Sequence, residues 1–78
     1  MVDLYLYHGV RNFARNALGY LPKVKVWQDQ DREDYITFIT EPLMIDRIIC
    51  GLMDVGFSCD WEIDWRGLGI IKVWRCNI

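Results

Sequence analysis

The chain has one histidine, His8, one serine, Ser58, and three cysteines, and none stands in a spacing that catalysis or metal binding requires. There is no Gly-x-Ser-x-Gly, and nothing in the sequence brings Cys50, Cys59 or Cys76 to His8, so a nucleophile–base pair has no candidate. No enzyme activity is expected and no catalytic residue is assigned. No two cysteines lie two to four residues apart, the spacing of structural zinc sites, which disfavours a Cys₃His centre with His8. No metal and no cofactor is expected. An odd cysteine count suits a reducing compartment better than a disulfide framework, which also disfavours a Cys59–Cys76 bridge. No apolar run approaches the roughly 20 residues that span a bilayer. Met1-Val2-Asp3-Leu4 lacks the basic start and small-residue cleavage site of a secretory signal. The expectation is a cytoplasmic protein with no membrane partner. Linkers, repeats and low-complexity runs are missing as well. A Met at the start and a strand-like end fit a complete small gene product.

What remains is a single small domain over residues 1–78, apolar enough at 53 %, with four tryptophans, to build a core without staples. The net charge of −2 is unevenly spread. Residues 1–25 carry Arg11, Arg15, Lys23 and Lys25 against Asp3. Residues 26–64 carry ten acids against Arg32 and Arg47, and residues 65–78 add Arg66, Lys72 and Arg75. A nucleic-acid binder is usually basic overall. A dominant acidic block favours a protein partner with a basic surface and disfavours nucleic acid.

Cys59-Asp60-Trp61-Glu62-Ile63-Asp64-Trp65 alternates strictly. In a strand, this turns Cys59, Trp61, Ile63 and Trp65 to one face and Asp60, Glu62 and Asp64 to the other. The first set belongs in a core and the second forms an acidic row. Val2–Tyr7 alternates too and predicts a first strand. Val10, Phe13, Ala14, Ala17, Leu18 and Leu21 then follow the spacing of an amphipathic helix. Residues 23–28 and 35–40 predict two strands joined by the polar run Asp29-Gln30-Asp31-Arg32-Glu33-Asp34. That run lacks the glycine and distal Glu of a calcium loop and is expected to be solvated.

Pro42 suits the first turn of a second helix, whose buried stripe is Ile45, Ile48, Ile49 and Leu52. Gly56 suits its left-handed cap, and Gly51 marks close packing against the sheet. The C-terminal hairpin turns at Arg66-Gly67-Leu68-Gly69, in one of two registers. A two-residue loop sets Trp61 opposite Trp74, and a three-residue loop sets Ile63 opposite Val73.

The expected fold is α+β. It is the ferredoxin-like split βαβ order β-α-β-β-α-β-β, an antiparallel sheet with two helices packed on one face. The helices would cover Val2, Leu4, Leu6, Val24, Val26, Ile36, Phe38, Trp61 and Ile63. The other face would carry Tyr5, Tyr7, Trp27, Tyr35, Ile39, Ile71 and Val73 among charges, an interaction surface. His8-Gly9 before the first helix, with Arg11 and Arg15 four apart, is a weak anion-binding signal.

The expected function is a small protein-binding domain that occupies a partner's surface. Its binding residues would be Asp29, Asp31, Glu33, Asp34, Asp60, Glu62 and Asp64, with Tyr5, Tyr7, Trp27 and Tyr35 as apolar anchors. Acids at strand spacing can stand in for phosphates. By size and charge, the chain is similar in style to phage- or mobile-element-encoded inhibitors of nucleic-acid-binding host proteins, including inhibitors of CRISPR complexes.

Leu4-Tyr5-Leu6-Tyr7 resembles the first-strand motif of RNA-recognition motif domains. The resemblance implies base stacking on Tyr5 and Tyr35. The third strand departs from that family, because Arg32-Glu33-Asp34-Tyr35-Ile36-Thr37-Phe38 turns only Tyr35 outward. A homodimer through the aromatic face is the structural alternative. A purely solubilising role for the acidic row is the bland one.

Overall fold

A computed structural model describes residues 4–27 and 34–75. The elements run α1 (Leu4–Leu18), β1 (Lys25–Trp27), β2 (Tyr35–Thr40), a 3₁₀ turn (Pro42–Met44), α2 (Ile45–Asp54), β3 (Phe57–Ile63) and β4 (Gly69–Arg75). The chain is thus a small α+β domain with a four-stranded antiparallel sheet and two helices.

The expected first strand is not a strand. From Leu4 to Tyr7 the segment is about the first turn of α1, and Leu6, Val10 and Ala14 are the helix's buried residues. These lie four apart, so the apolar stripe of the helix runs further toward the N-terminus than Val10. Alternation over a few residues also satisfies a helical face, and the longer stripe wins. Gly19, at φ 80°, ends the helix and its N–H donates to the Arg15 carbonyl at 2.9 Å.

The strand order is β1-β2-β4-β3. In the expected ferredoxin-like order, the N-terminal strand would lie between β2 and β3. Here β4 occupies that central place. Its Gly69, Ile71 and Val73 face the helices, and its Ile70, Lys72 and Trp74 lie on the uncovered face. Tyr35 pairs with Trp74, Ile36 with Val73 and Phe38 with Ile71.

The C-terminal hairpin takes neither expected register. Trp61 pairs with Ile71 rather than Trp74, and Ile63 with Gly69 rather than Val73. The tip closes through Gly67 N–H to the Asp64 carbonyl at 3.0 Å and Asp64 N–H to the Leu68 carbonyl at 2.9 Å. Gly67 stands at φ 83°. Asp at the first and Gly at the fourth turn position is the favoured chemistry for such a loop.

One core cluster unites the elements. Leu6, Val10 and Ala14 of α1 and Ile45, Ile48 and Leu52 of α2 pack on Ile36, Phe38, Phe57, Ile71 and Val73. Both helices therefore cover the same face of the sheet. Gly51 lies under α1, not under the sheet. A Cβ there would collide with the Phe13 ring, so this glycine lets the two helices approach. Gly56, at φ 98°, caps α2 in the left-handed conformation, as its place in the sequence predicts.

Candidate functional site

Alternation along the strands sorts every other side chain onto the face that neither helix covers. Pairing then arranges these into cross-strand rows. Trp27, Tyr35, Trp74 and Ser58 share one row, and Lys25, Thr37, Lys72 and Asp60 the next. Ile39, Ile70 and Glu62 form a third. Trp27 stacks on Tyr35 with ring centroids 5.8 Å apart and 11° between planes. The Trp27 indole N–H donates to Thr37 Oγ1 at 3.0 Å.

Lysines lie over these rings. Lys25 Nζ is 4.0 Å from the Trp27 ring centre, and Lys72 Nζ is 4.4 Å from that of Tyr35 and 5.7 Å from that of Trp74. An ammonium over an aromatic face is attracted by the ring quadrupole, and its stem shields apolar surface from water. The face is thus an aromatic strip dressed with cations. At its β3 margin, Asp60 and Glu62 are exposed.

The expected site residues separate. Trp27, Tyr35, Asp60 and Glu62 come together on the open face. Tyr5 and Tyr7 do not, because they lie on α1 on the far side of the sheet. Tyr5 is exposed beside Arg75, whose guanidinium is 4.7 Å from its ring centre. Tyr7 is half-buried against the core. The stacking pair proposed from Tyr5 and Tyr35 therefore does not exist.

Asp64 also leaves the row, because β3 ends at Ile63. Its Oδ1 accepts the N–H groups of Arg66 and Leu68, each at 2.9 Å, and its Oδ2 accepts the Arg66 guanidinium at 2.9 and 3.1 Å. The Leu68 N–H is the largest influence on the Asp64 carboxyl; desolvation comes second and opposes it, and the Arg66 hydrogen bonds and charge add to the Leu68 effect, so the carboxyl is held below its ordinary pKa. It closes the hairpin instead of meeting solvent.

Asp34 is half-buried just before β2, and Asp29, Asp31 and Glu33 lie outside the described residues. The tryptophans expected in the core are not there: Trp61 is 50 % and Trp65 92 % exposed. Trp61 and Ile63 do sit on the covered side, but toward the hairpin end, where they remain half exposed. Ile71 and Val73, expected outside, are fully buried.

Sequence reading missed Lys25, Lys72 and Trp74. Lys25 is two residues from Trp27 in the same strand and so was open to alternation alone, whereas Lys72 and Trp74 join Tyr35 only once the β4 register is known. His8 and Arg11 lie inside α1 and Arg15 in its last turn, so none of them stands at a helix N-terminus. Burial pushes the Cys59 thiol from 9.0 up to about 11, which keeps it protonated and unreactive at neutral pH. Among the described residues no three His, Cys, Asp or Glu side chains gather to hold a metal ion. Nor is any described helix long and apolar enough to cross a membrane. No protein-family model, no curated protein and no solved structure matches the chain.

Proposed function

We propose that this chain is a protein-binding domain that occupies the basic surface of a partner protein and performs no catalysis. One observation carries the reading: Asp60 and Glu62 are exposed at the margin of an uncovered sheet face that holds Trp27, Tyr35 and Trp74. Aromatic side chains supply the anchors that dominate interface energy. Acids beside them set the sign of the partner and speed its encounter. Asp29, Asp31 and Glu33, in the segment joining β1 to β2, add negative charge to the chain. Nucleic-acid-binding proteins carry surfaces of the complementary sign. The proposal therefore extends to a cytoplasmic inhibitor of such a protein, of the kind phages and mobile elements direct at host complexes, CRISPR complexes among them.

The test is retention of lysate proteins on the immobilised chain, compared with the Asp60→Asn, Glu62→Gln variant. The reading expects basic proteins to be retained at low salt, lost with the variant and displaced by a polyanion. Equal recovery on both chains would contradict it.

A second reading has its own observation. A row of three aromatic rings flanked by Lys25 and Lys72 also suits stacking of single-stranded RNA. It expects saturable quenching of tryptophan fluorescence by mixed-sequence RNA oligomers at low salt, lost in Tyr35→Ala. No quenching under those conditions dismisses it. A homodimer through the same face is a third arrangement, and light scattering across a concentration series decides it.

A further inference from the structure

We propose that the free edge of β3 receives, by strand addition, an extended segment of the partner in which Lys or Arg alternates with a large apolar residue. This inference rests on the reading of a basic protein partner, and it adds where the partner is held and in what conformation.

Among the described residues β3 is the last strand of the sheet, with β4 on one side only. Its pairing is regular from Phe57 to Ile63, and the Asp64 N–H continues it to the Leu68 carbonyl. In an antiparallel pair the N–H and C=O of one residue point the same way, and successive residues alternate. Asp64 faces β4, so Ser58, Asp60 and Glu62 do too. Cys59, Trp61 and Ile63 therefore turn their backbone groups away from the sheet.

Asp60 Oδ1 accepts the Trp61 N–H at 2.8 Å, so the chain's own carboxylate occupies one of these outward donors. Such a plug blunts indiscriminate edge pairing. A cation placed opposite Asp60 draws the carboxylate off and frees that donor. An added strand would lie beside Asp60 and Glu62 on the open face. On the other face it would meet Trp61 and Ile63, which are 50 % and 47 % exposed. Opposite charges and apolar pairs across neighbouring strands are the stabilising combinations. The matching sequence therefore alternates basic and apolar residues. A second copy of β3 is the wrong occupant, because pairing β3 with itself brings acids beside acids on one face.

The experiment titrates the isotopically labelled chain with the heptapeptide Lys-Val-Lys-Val-Lys-Val-Lys and follows amide hydrogen exchange residue by residue. The expected result is about tenfold or greater slowing at Cys59, Trp61 and Ile63, with little change at Ser58 and Glu62, which already face β4. N-methylation of alternate peptide residues, which keeps the charge, should abolish the slowing. The Asp60→Asn, Glu62→Gln variant should bind about tenfold more weakly. Binding that shifts the Lys72 and Trp74 signals without slowing exchange at Cys59, Trp61 and Ile63 would overturn strand addition while leaving the basic-partner reading standing. Equal slowing by a Glu/Val peptide would overturn the requirement for a basic segment. No binding at low salt would overturn the inference outright.

Discussion

The two faces of the sheet are made by the same strands, and neighbouring residues have opposite fates. On the covered face, Ile36, Phe38, Ile71 and Val73 are at most 2 % exposed and pack under both helices. On the open face, Trp27 and Ile39 remain 38 % and 42 % exposed, and lysines lie across the aromatic rings. The covered face holds the fold together through buried area. The open face needs no such burial to exist, because each cation–π contact contributes only about 0.5–1 kcal/mol at an exposed site. The difference teaches that aromatic content alone does not mark a core. All four indoles of this chain escape full burial or lie outside the buried cluster, while isoleucine, leucine and valine form most of it.

The sharpest way to break the comparison is to truncate adjacent isoleucines of β4. Ile71→Ala, on the covered side, should cost about 2–5 kcal/mol of unfolding free energy. Ile70→Ala, on the open side, should cost under about 1 kcal/mol. Urea denaturation of both variants decides this, and equal losses would erase the distinction between the faces. Gly51→Ala tests the helical cover. It gains about 1 kcal/mol of helix propensity. The collision with Phe13 should outweigh that gain and leave a net loss of about 1–2 kcal/mol in the same assay.

Among the described residues one polar side chain is buried with the core. Thr40 is 2 % exposed, and its hydroxyl has no hydrogen-bond partner. Thr40→Val keeps the shape and removes the orphan group, so a gain of about 1 kcal/mol is expected in the melting or urea midpoint. The smallest effect lies where the faces end, at the β3–β4 tip. The folded-state pKa of Asp64 is depressed from 3.8, so its contribution is present above that value and is lost as pH falls through the lowered one. Asp64→Asn should fray the tip at neutral pH and flatten the acid-induced loss of amide protection at Arg66 and Leu68. Identical pH profiles for the two chains would contradict this.

Much of the architecture was legible because local and global signals agree. In α2, the apolar stripe and Gly56 point to one helix, and it forms, with Pro42 opening a 3₁₀ turn before it rather than its own first turn. The alternation over 59–65 predicts a strand, and it forms as far as Ile63; Asp64 and Trp65 fall in the turn instead. The N-terminal segment misled because Leu4-Tyr5-Leu6-Tyr7 satisfies both periods, and only the spacing from Leu6 to Val10 and Ala14 chooses the helix. Strand order was hidden for a related reason. With a first strand assumed, β4 had no reason to be central.

The hairpin register turned on Asp64, which carries two roles in the sequence, a member of the acidic row and a turn-closing acceptor. Hydrogen bonds to Arg66 and Leu68 select the second. Trp27, Tyr35, Asp60 and Glu62 of the candidate site followed from alternation alone. Lys72 and Trp74 depended on a register that side-chain patterns left open.

The central claim is that the uncovered face, with Asp60 and Glu62 at its margin, is where a basic partner sits. Carboxyl footprinting by mass spectrometry, on the free chain and on the complex recovered from lysate, tests it most directly. Asp60 and Glu62 should be modified in the free chain and shielded in the complex, while Asp46 and Asp54, exposed on α2, stay equally reactive in both. Shielding of Asp46 and Asp54 with Asp60 and Glu62 unchanged would place the partner on the helices and contradict the account.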